Sequence, residues 1–231
     1  MRRIFAVLFL LGLLGLPVQA REPGKYVALT FDDGPSGSYT SRLLEGLRQR
    51  GAHATFLLCG YRMQEFPELT RQIVAEGHEV GLHGFSHENM GQMSRRQIAA
   101  ELIDSQKLLP ESCEPVFLRP PGGVVGDGVR QAAEVRLLGI LTWSVDPRDW
   151  AVKDAPLVIH RVLSRVRDGD VVLMHDMSDS SVTAALEIVD QLKSQGYELV
   201  TVSQLAKLRN VEIKPGKIYQ RFPREESPQD K

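Results

Sequence analysis

Residues 27–51 read VALTFDDGPSGSYTSRLLEGLRQRG. The apolar run over 27–31 has the β-branched and aromatic make-up of a strand, and it stops at two aspartates followed by Gly-Pro. Leu43, Leu44 and Leu47 then recur at helical spacing over 39–50. Gly51 stands where a left-handed residue ends a helix at little steric cost. The stretch is one strand, one turn and one helix.

The same unit recurs. Strand-like runs fall at 54–58, 79–82, 116–119, 139–144, 171–174 and 198–202, and helical segments at 65–76, 94–108, 126–137, 155–166, 181–194 and 203–208. Seven strands alternating with helices long enough to cross back make a parallel α/β domain, either a closed β/α barrel or an open doubly wound sheet. Periodicity leaves both open.

The unusual polar residues gather at the ends of those strands. Asp32 and Asp33 follow the first, His83 the third, Arg119 the fourth, Asp146 and Asp149 the fifth, and His175 the sixth. In parallel β/α architectures the carboxyl ends share one face, where ligands bind. Adjacent carboxylates repel unless a cation or a basic side chain compensates, although Asp-Gly-Pro alone is also ordinary turn chemistry. His83 and His87 have the i, i+4 spacing that puts two imidazoles on one side of a helical turn. With Asp33 they make two nitrogens and one oxygen, a set that leaves a tetrahedral zinc one open position. In FLRPPGG, Arg119 precedes a stiff Pro-Pro and two glycines whose amides can approach a ligand and supply an oxyanion donor. A histidine ending an apolar strand, as His175 does, needs a carboxylate partner. His53, His78 and His160 lack such settings and read as structural or surface residues.

The remaining composition is restrictive. The formal charge is -1, and removal of Arg2 and Arg3 leaves 26 basic against 29 acidic side chains, so nothing favours nucleic acid. Residues 1–20 carry two arginines, an apolar core over 4–16 and a small-residue end at Ala20, the pattern of a signal peptide; the apolar run is short for a membrane span unless it stays uncleaved. Export follows, to the periplasm, the cell wall or the medium. Cys59 and Cys113 permit one disulfide or two free thiols, and no C-x-x-C is present. Residues 211–231 read as a polar, disordered tail.

Taken in order, TFDDGP, H-x-x-x-H, RPPGG, D-x-x-D-W and LMH resemble the five motifs of the polysaccharide deacetylases, carbohydrate esterase family four, over residues 26–208. The resemblance implies a distorted (β/α)7 barrel and a single catalytic domain over 21–210. It also implies roles: Asp32 as general base, Asp33, His83 and His87 as ligands of a divalent metal, and His175 as general acid. Arg119 then pairs with Asp32, Asp149 orients His175, and Pro121, Gly122, Trp150 and Leu173 line the groove. Zinc is the default ion, with cobalt, nickel or manganese as alternatives. The implied reaction is removal of N-acetyl groups from N-acetylglucosamine units of a polysaccharide by a monomer, with peptidoglycan first and chitin-type oligomers next. O-deacetylation of xylan, small-amide hydrolysis and noncatalytic glycan binding are the alternatives. Two positions depart from the family pattern: Gly84, where Ser or Thr usually steadies the histidine loop, and Gly122, where Tyr is common.

Overall fold

A computed structural model describes residues 24–224. The signal segment expected over 1–20 lies outside them. Eight parallel strands are found: β1 (Lys25–Asp32), β2 (Thr55–Leu58), β3 (Glu79–Leu82), β4 (Phe117–Leu118), β5 (Gly139–Leu141), β6 (Val171–His175), β7 (Tyr197–Leu199) and β8 (Ile218–Tyr219). The helices are α1 (Ser38–Arg50), α2 (Gly60–Glu65), α3 (Pro67–Ala75), α4 (Arg95–Gln106), α5 (Asp127–Val135), α6 (Ala155–Leu163), α7 (Asp179–Ser194) and α8 (Val202–Leu208).

The sheet runs β6-β1-β2-β3-β4-β5-β8, and β7 also pairs with β1. β1 is the hinge of this arrangement. Its first residues, Lys25 to Val27, pair with β7, whereas Ala28 to Asp32 pair with β6. On the far side, β5 pairs with β8 below, and just beyond it Val145 bridges Val172 of β6. Leu173 N–H donates to the Val145 carbonyl at 2.9 Å. The ring therefore closes near the carboxyl ends of the strands and is split at the opposite end, where β7 and β8 fill the gap. That is a distorted barrel, and it brings the ends of β1 and β6 side by side.

Both faces of the strands are covered, which is why they read as unbroken apolar runs rather than alternating ones. Val27, Leu29, Phe31, Phe56 and Met174 are buried in one cluster with the inward faces of α1 and α7. Each such side chain contributes roughly 1.5–3 kcal/mol by leaving water. Ser178 caps α7 by accepting from Ser181 N–H, and Gly51 ends α1 at φ 55°.

The helix expected over 65–76 is found as α3, which Pro67 starts because its missing N–H costs nothing in a first turn; the short α2 precedes it. One expectation is corrected. The tail beginning at residue 211 is not disordered as far as Arg224. Ile218–Tyr219 form a strand, Tyr219 and Phe222 stack with centroids 5.6 Å apart, and Phe222 is 1% exposed. A two-residue strand and one aromatic pair leave too short a pattern to read. Among the described residues no helix is long and apolar enough to cross a membrane.

Candidate metal and acid-base site

β1 delivers Asp32 and Asp33 into one rim. Asp32 is 3% exposed, and Arg119, fully buried just beyond β4, donates to its Oδ1 at 2.5 Å. The guanidinium also donates to Thr30 Oγ1 at 2.8 Å, to the Thr142 carbonyl at 2.9 Å and to the Leu141 carbonyl at 3.4 Å. These bonds fix the guanidinium in a pocket where an unpaired charge would be costly. Asp33 follows in a left-handed conformation, φ 72°.

Asp33 Oδ1 lies 3.2 Å from His83 Nε2 and 3.1 Å from His87 Nε2. The three ligand atoms are within 4.8 Å of one another. His83 Nδ1 is 2.7 Å from the Arg119 carbonyl, which only accepts, so Nδ1 carries a hydrogen and Nε2 is the ring nitrogen turned toward Asp33. Buried Asp33 Oδ1 has no hydrogen-bond partner. An oxygen and two ring nitrogens converging at this distance are the donor set a divalent cation takes, so the residues fit a metal. Burial opposes ionisation of Asp33, yet the adjacent imidazoles hold its carboxyl far below the usual carboxylate range.

The two histidines do not share a helical turn, as their spacing had suggested. They stand on a loop that bends at Gly84, φ 80°, and at His87, φ 63°. Its backbone is tied on both sides. Gly60 and Tyr61 N–H donate to the Gly84 and Phe85 carbonyls at 2.9 and 3.0 Å. Glu101 of α4 accepts from Phe85 N–H at 2.6 Å and from Ser86 N–H at 2.8 Å. A Cβ at Gly84 would stand 3.1 Å from that Glu101 oxygen and 2.8 Å from Met90 Cε. The place a Ser or Thr side chain would take is already filled, and Glu101 holds the loop.

β6 ends at His175, whose Nδ1 is 2.9 Å from Asp149 Oδ1 while its backbone N–H donates to Asp149 Oδ2 at 2.9 Å. Burial alone would lower the imidazole pKa; the Asp149 carboxylate outweighs it and pushes His175 up to about 9. His175 Nε2 reaches toward Asp33, 3.9 Å from Oδ2. Behind the rim, Asp176 is fully buried against Thr40 Oγ1, and burial pushes its carboxyl up to about 6. Its backbone carbonyl accepts from Ser36 Oγ at 2.5 Å, which secures the loop after Asp33.

Above these groups lies a cavity of about 330 Å3 walled by Gly122, Trp143, Asp146, Trp150 and Leu173. Pro121 is buried and does not face it. Gly122 has φ 67° and open space where a side chain would project. Trp143 had no signal of its own in the sequence, being one aromatic at the end of an apolar run; neither Glu101 nor Asp176 could be told from a surface or turn acid. Cys59 and Cys113 are separate thiols.

The family model described as polysaccharide deacetylase matches residues 19–139. A peptidoglycan-N-acetylglucosamine deacetylase of Bacillus cereus is 38% identical over 192 residues, covering 80% of this chain and 90% of its own. The chain belongs to the polysaccharide deacetylase family. Peptidoglycan-N-acetylmuramic acid deacetylase PdaC of Bacillus subtilis is 36% identical over 80% of this chain, which spans 39% of that protein's length. A solved PdaC structure superposes with a TM-score of 0.78 over 82% of this chain and 94% of the solved chain, at 36% identity. A family 4 acetyl xylan esterase from Clostridium thermocellum, solved with a cobalt ion, gives 0.80 over 86% of this chain and 100% of the other, at 32% identity. Deacetylases are hydrolases, and the metal dependence of the family suits the Asp33, His83 and His87 cluster.

Proposed function

We propose that this deacetylase removes N-acetyl groups from N-acetylglucosamine units of an exported polysaccharide, peptidoglycan first and chitin-type oligomers next. The observation that carries the reading is the partnerless Asp33 Oδ1 between two imidazole nitrogens, flanked by Arg119-paired Asp32 and Asp149-paired His175. Asp33, His83 and His87 hold the ion, and zinc is the ion of choice for this donor set. Bound there, it lowers the pKa of water and draws charge from the acyl oxygen.

The protein's own groups do the rest. Asp32 takes a proton from the attacking water, and its contact with Arg119 keeps it aimed. As water adds to the carbonyl carbon, the backbone N–H of Gly122 supports the developing oxyanion. His175, kept cationic by Asp149, donates its proton to the amide nitrogen as the C–N bond breaks. Acetate and a free amine leave. Trp150 and Leu173 hold the sugar against this centre. The apolar segment at 1–20 supports export to the periplasm, wall or medium, with the enzyme acting as a monomer.

Ester hydrolysis is a second reading, supported by the likeness to the acetyl xylan esterase. An alkoxide leaves more readily than an unprotonated amide anion, so O-deacetylation depends less on proton donation by His175. Acetate release from N-acetylglucosamine oligomers, peptidoglycan and acetylated xylan by metal-loaded protein tests both. Release from neither N-acetylated polymer refutes the first reading.

A further inference from the structure

A second cavity of about 290 Å3 adjoins the first and shares Asp33, Trp150 and His175 with it. Its outer wall is Lys153, Met177, Ser178 and Ser181. Trp150 stands between the two and is 61% exposed. An exposed indole bordering two connected hollows is a platform for a chain of sugars.

The charges beside this platform are uneven. The Arg148 guanidinium lies 5.5 Å from the Trp150 ring centroid, and Lys153 follows three residues later. Among the described residues neither cation has a carboxylate within ion-pair distance. The acids around them are engaged elsewhere. Asp146 accepts from Arg148 N–H at 2.7 Å, Asp154 caps α6 through Leu157 N–H, Asp149 holds His175, and Asp179 pairs with Arg42 at 2.7 Å. Asp33 faces the two imidazoles. Two cations without ion-pair partners thus stand beside the stacking ring, Arg148 over the indole and Lys153 in the wall of the second cavity.

We infer that Arg148 and Lys153 bind a carboxylate carried by the sugar next to the one being deacetylated, so the groove selects an anionic glycan over a neutral one. The inference rests on the proposed deacetylase reading and sharpens it. Peptidoglycan supplies such carboxylates from the lactyl ether of muramic acid or from its stem peptide, and chitin supplies none.

The test pairs binding with turnover in the metal-loaded full chain. Three probes are used: neutral N-acetylglucosamine oligomers, peptide-free peptidoglycan strands whose carboxylates are lactyl, and peptide-bearing strands. Wild-type kcat/KM favours one or both carboxylated probes, and which one identifies the source. In Arg148→Met/Lys153→Met the ratio of carboxylated to neutral kcat/KM falls about three- to tenfold through KM, the size of two exposed charge contacts. Lys153→Glu lowers it further, and salt erodes the wild-type preference. An equal ratio in wild type and double variant overturns the inference, as does a wild type indifferent to carboxylates. Equilibrium binding of the same strands to Asp32→Asn, with and without the two methionines, separates the readings. A charge-dependent binding preference together with no acetate release from any probe by the metal-loaded wild type supports the anionic groove and refutes the deacetylase.

Discussion

Two aspartate-histidine contacts sit side by side in this rim and do opposite things. Asp33 approaches His83 and His87 through an oxygen without a hydrogen-bond partner, and the Arg119 carbonyl holds His83 by Nδ1 so that Nε2 faces Asp33. Asp149 meets His175 through Nδ1 at 2.9 Å and takes its backbone N–H as well. In the proposed reaction the first contact is completed by a cation and the second by a proton. Residue type does not separate them; the groups behind each imidazole do.

The comparison breaks first if the ligand side is disturbed. His83→Ala removes one of three ligands, so metal affinity falls by more than the roughly 10–100-fold typical of supporting residues and acetate release is lost. Calorimetric metal titration beside a turnover assay checks this; full activity with metal still bound refutes the assignment. His175→Ala leaves the metal in place and lowers kcat on amide substrates by about 10²–10⁴. An equal fall in metal affinity would show that the two contacts are not distinct.

Smaller changes sharpen the contrast. His175 is raised above its ordinary value, so it is protonated through neutrality and loses its proton as pH climbs past about 9, and the alkaline limb of kcat follows. Asp149→Asn removes the charge that raises it and moves that limb down by about 1–2 pH units with metal affinity unchanged. A pH profile that does not move contradicts the pairing. Glu101→Ala frees the amides of Phe85 and Ser86, and metal affinity falls by about tenfold, with kcat at saturating metal nearly kept.

A histidine outside both contacts is a control. His78 accepts from Ala54 N–H at 3.2 Å, and burial, with some help from His53, lowers its pKa to about 4. The unfolded chain takes up a proton there more readily. The stability from keeping it neutral is therefore complete above about pH 6.5 and is lost as pH falls toward 4. Chemical denaturation of His78→Gln shows less acid sensitivity over that window; identical pH dependence refutes the role.

Much of this was legible because strand ends are informative in parallel α/β folds. Asp32, Asp33, His83, Arg119 and His175 each follow an apolar run, and parallel topology alone sends them to one rim. The choice of a closed barrel was not legible from periodicity, since closure depends on a single bridge, Val145 to Val172, outside any long pattern. The histidine spacing looked helical, but positive φ at Gly84 and His87 shows that a bent loop delivers the same two side chains. Glu101 was hidden because its task is to accept from backbone N–H groups fifteen and sixteen residues away, which leaves no motif. The strand at Ile218–Tyr219 was hidden because two residues carry no period.

The most direct measurement is the metal content of three purified proteins: wild type, Asp33→Ala and Asp149→Ala. One ion per chain in wild type and Asp149→Ala, with none in Asp33→Ala, is the expected result. An ion retained by Asp33→Ala, or a wild type that takes up none when dialysed against zinc, contradicts the cation-centred account.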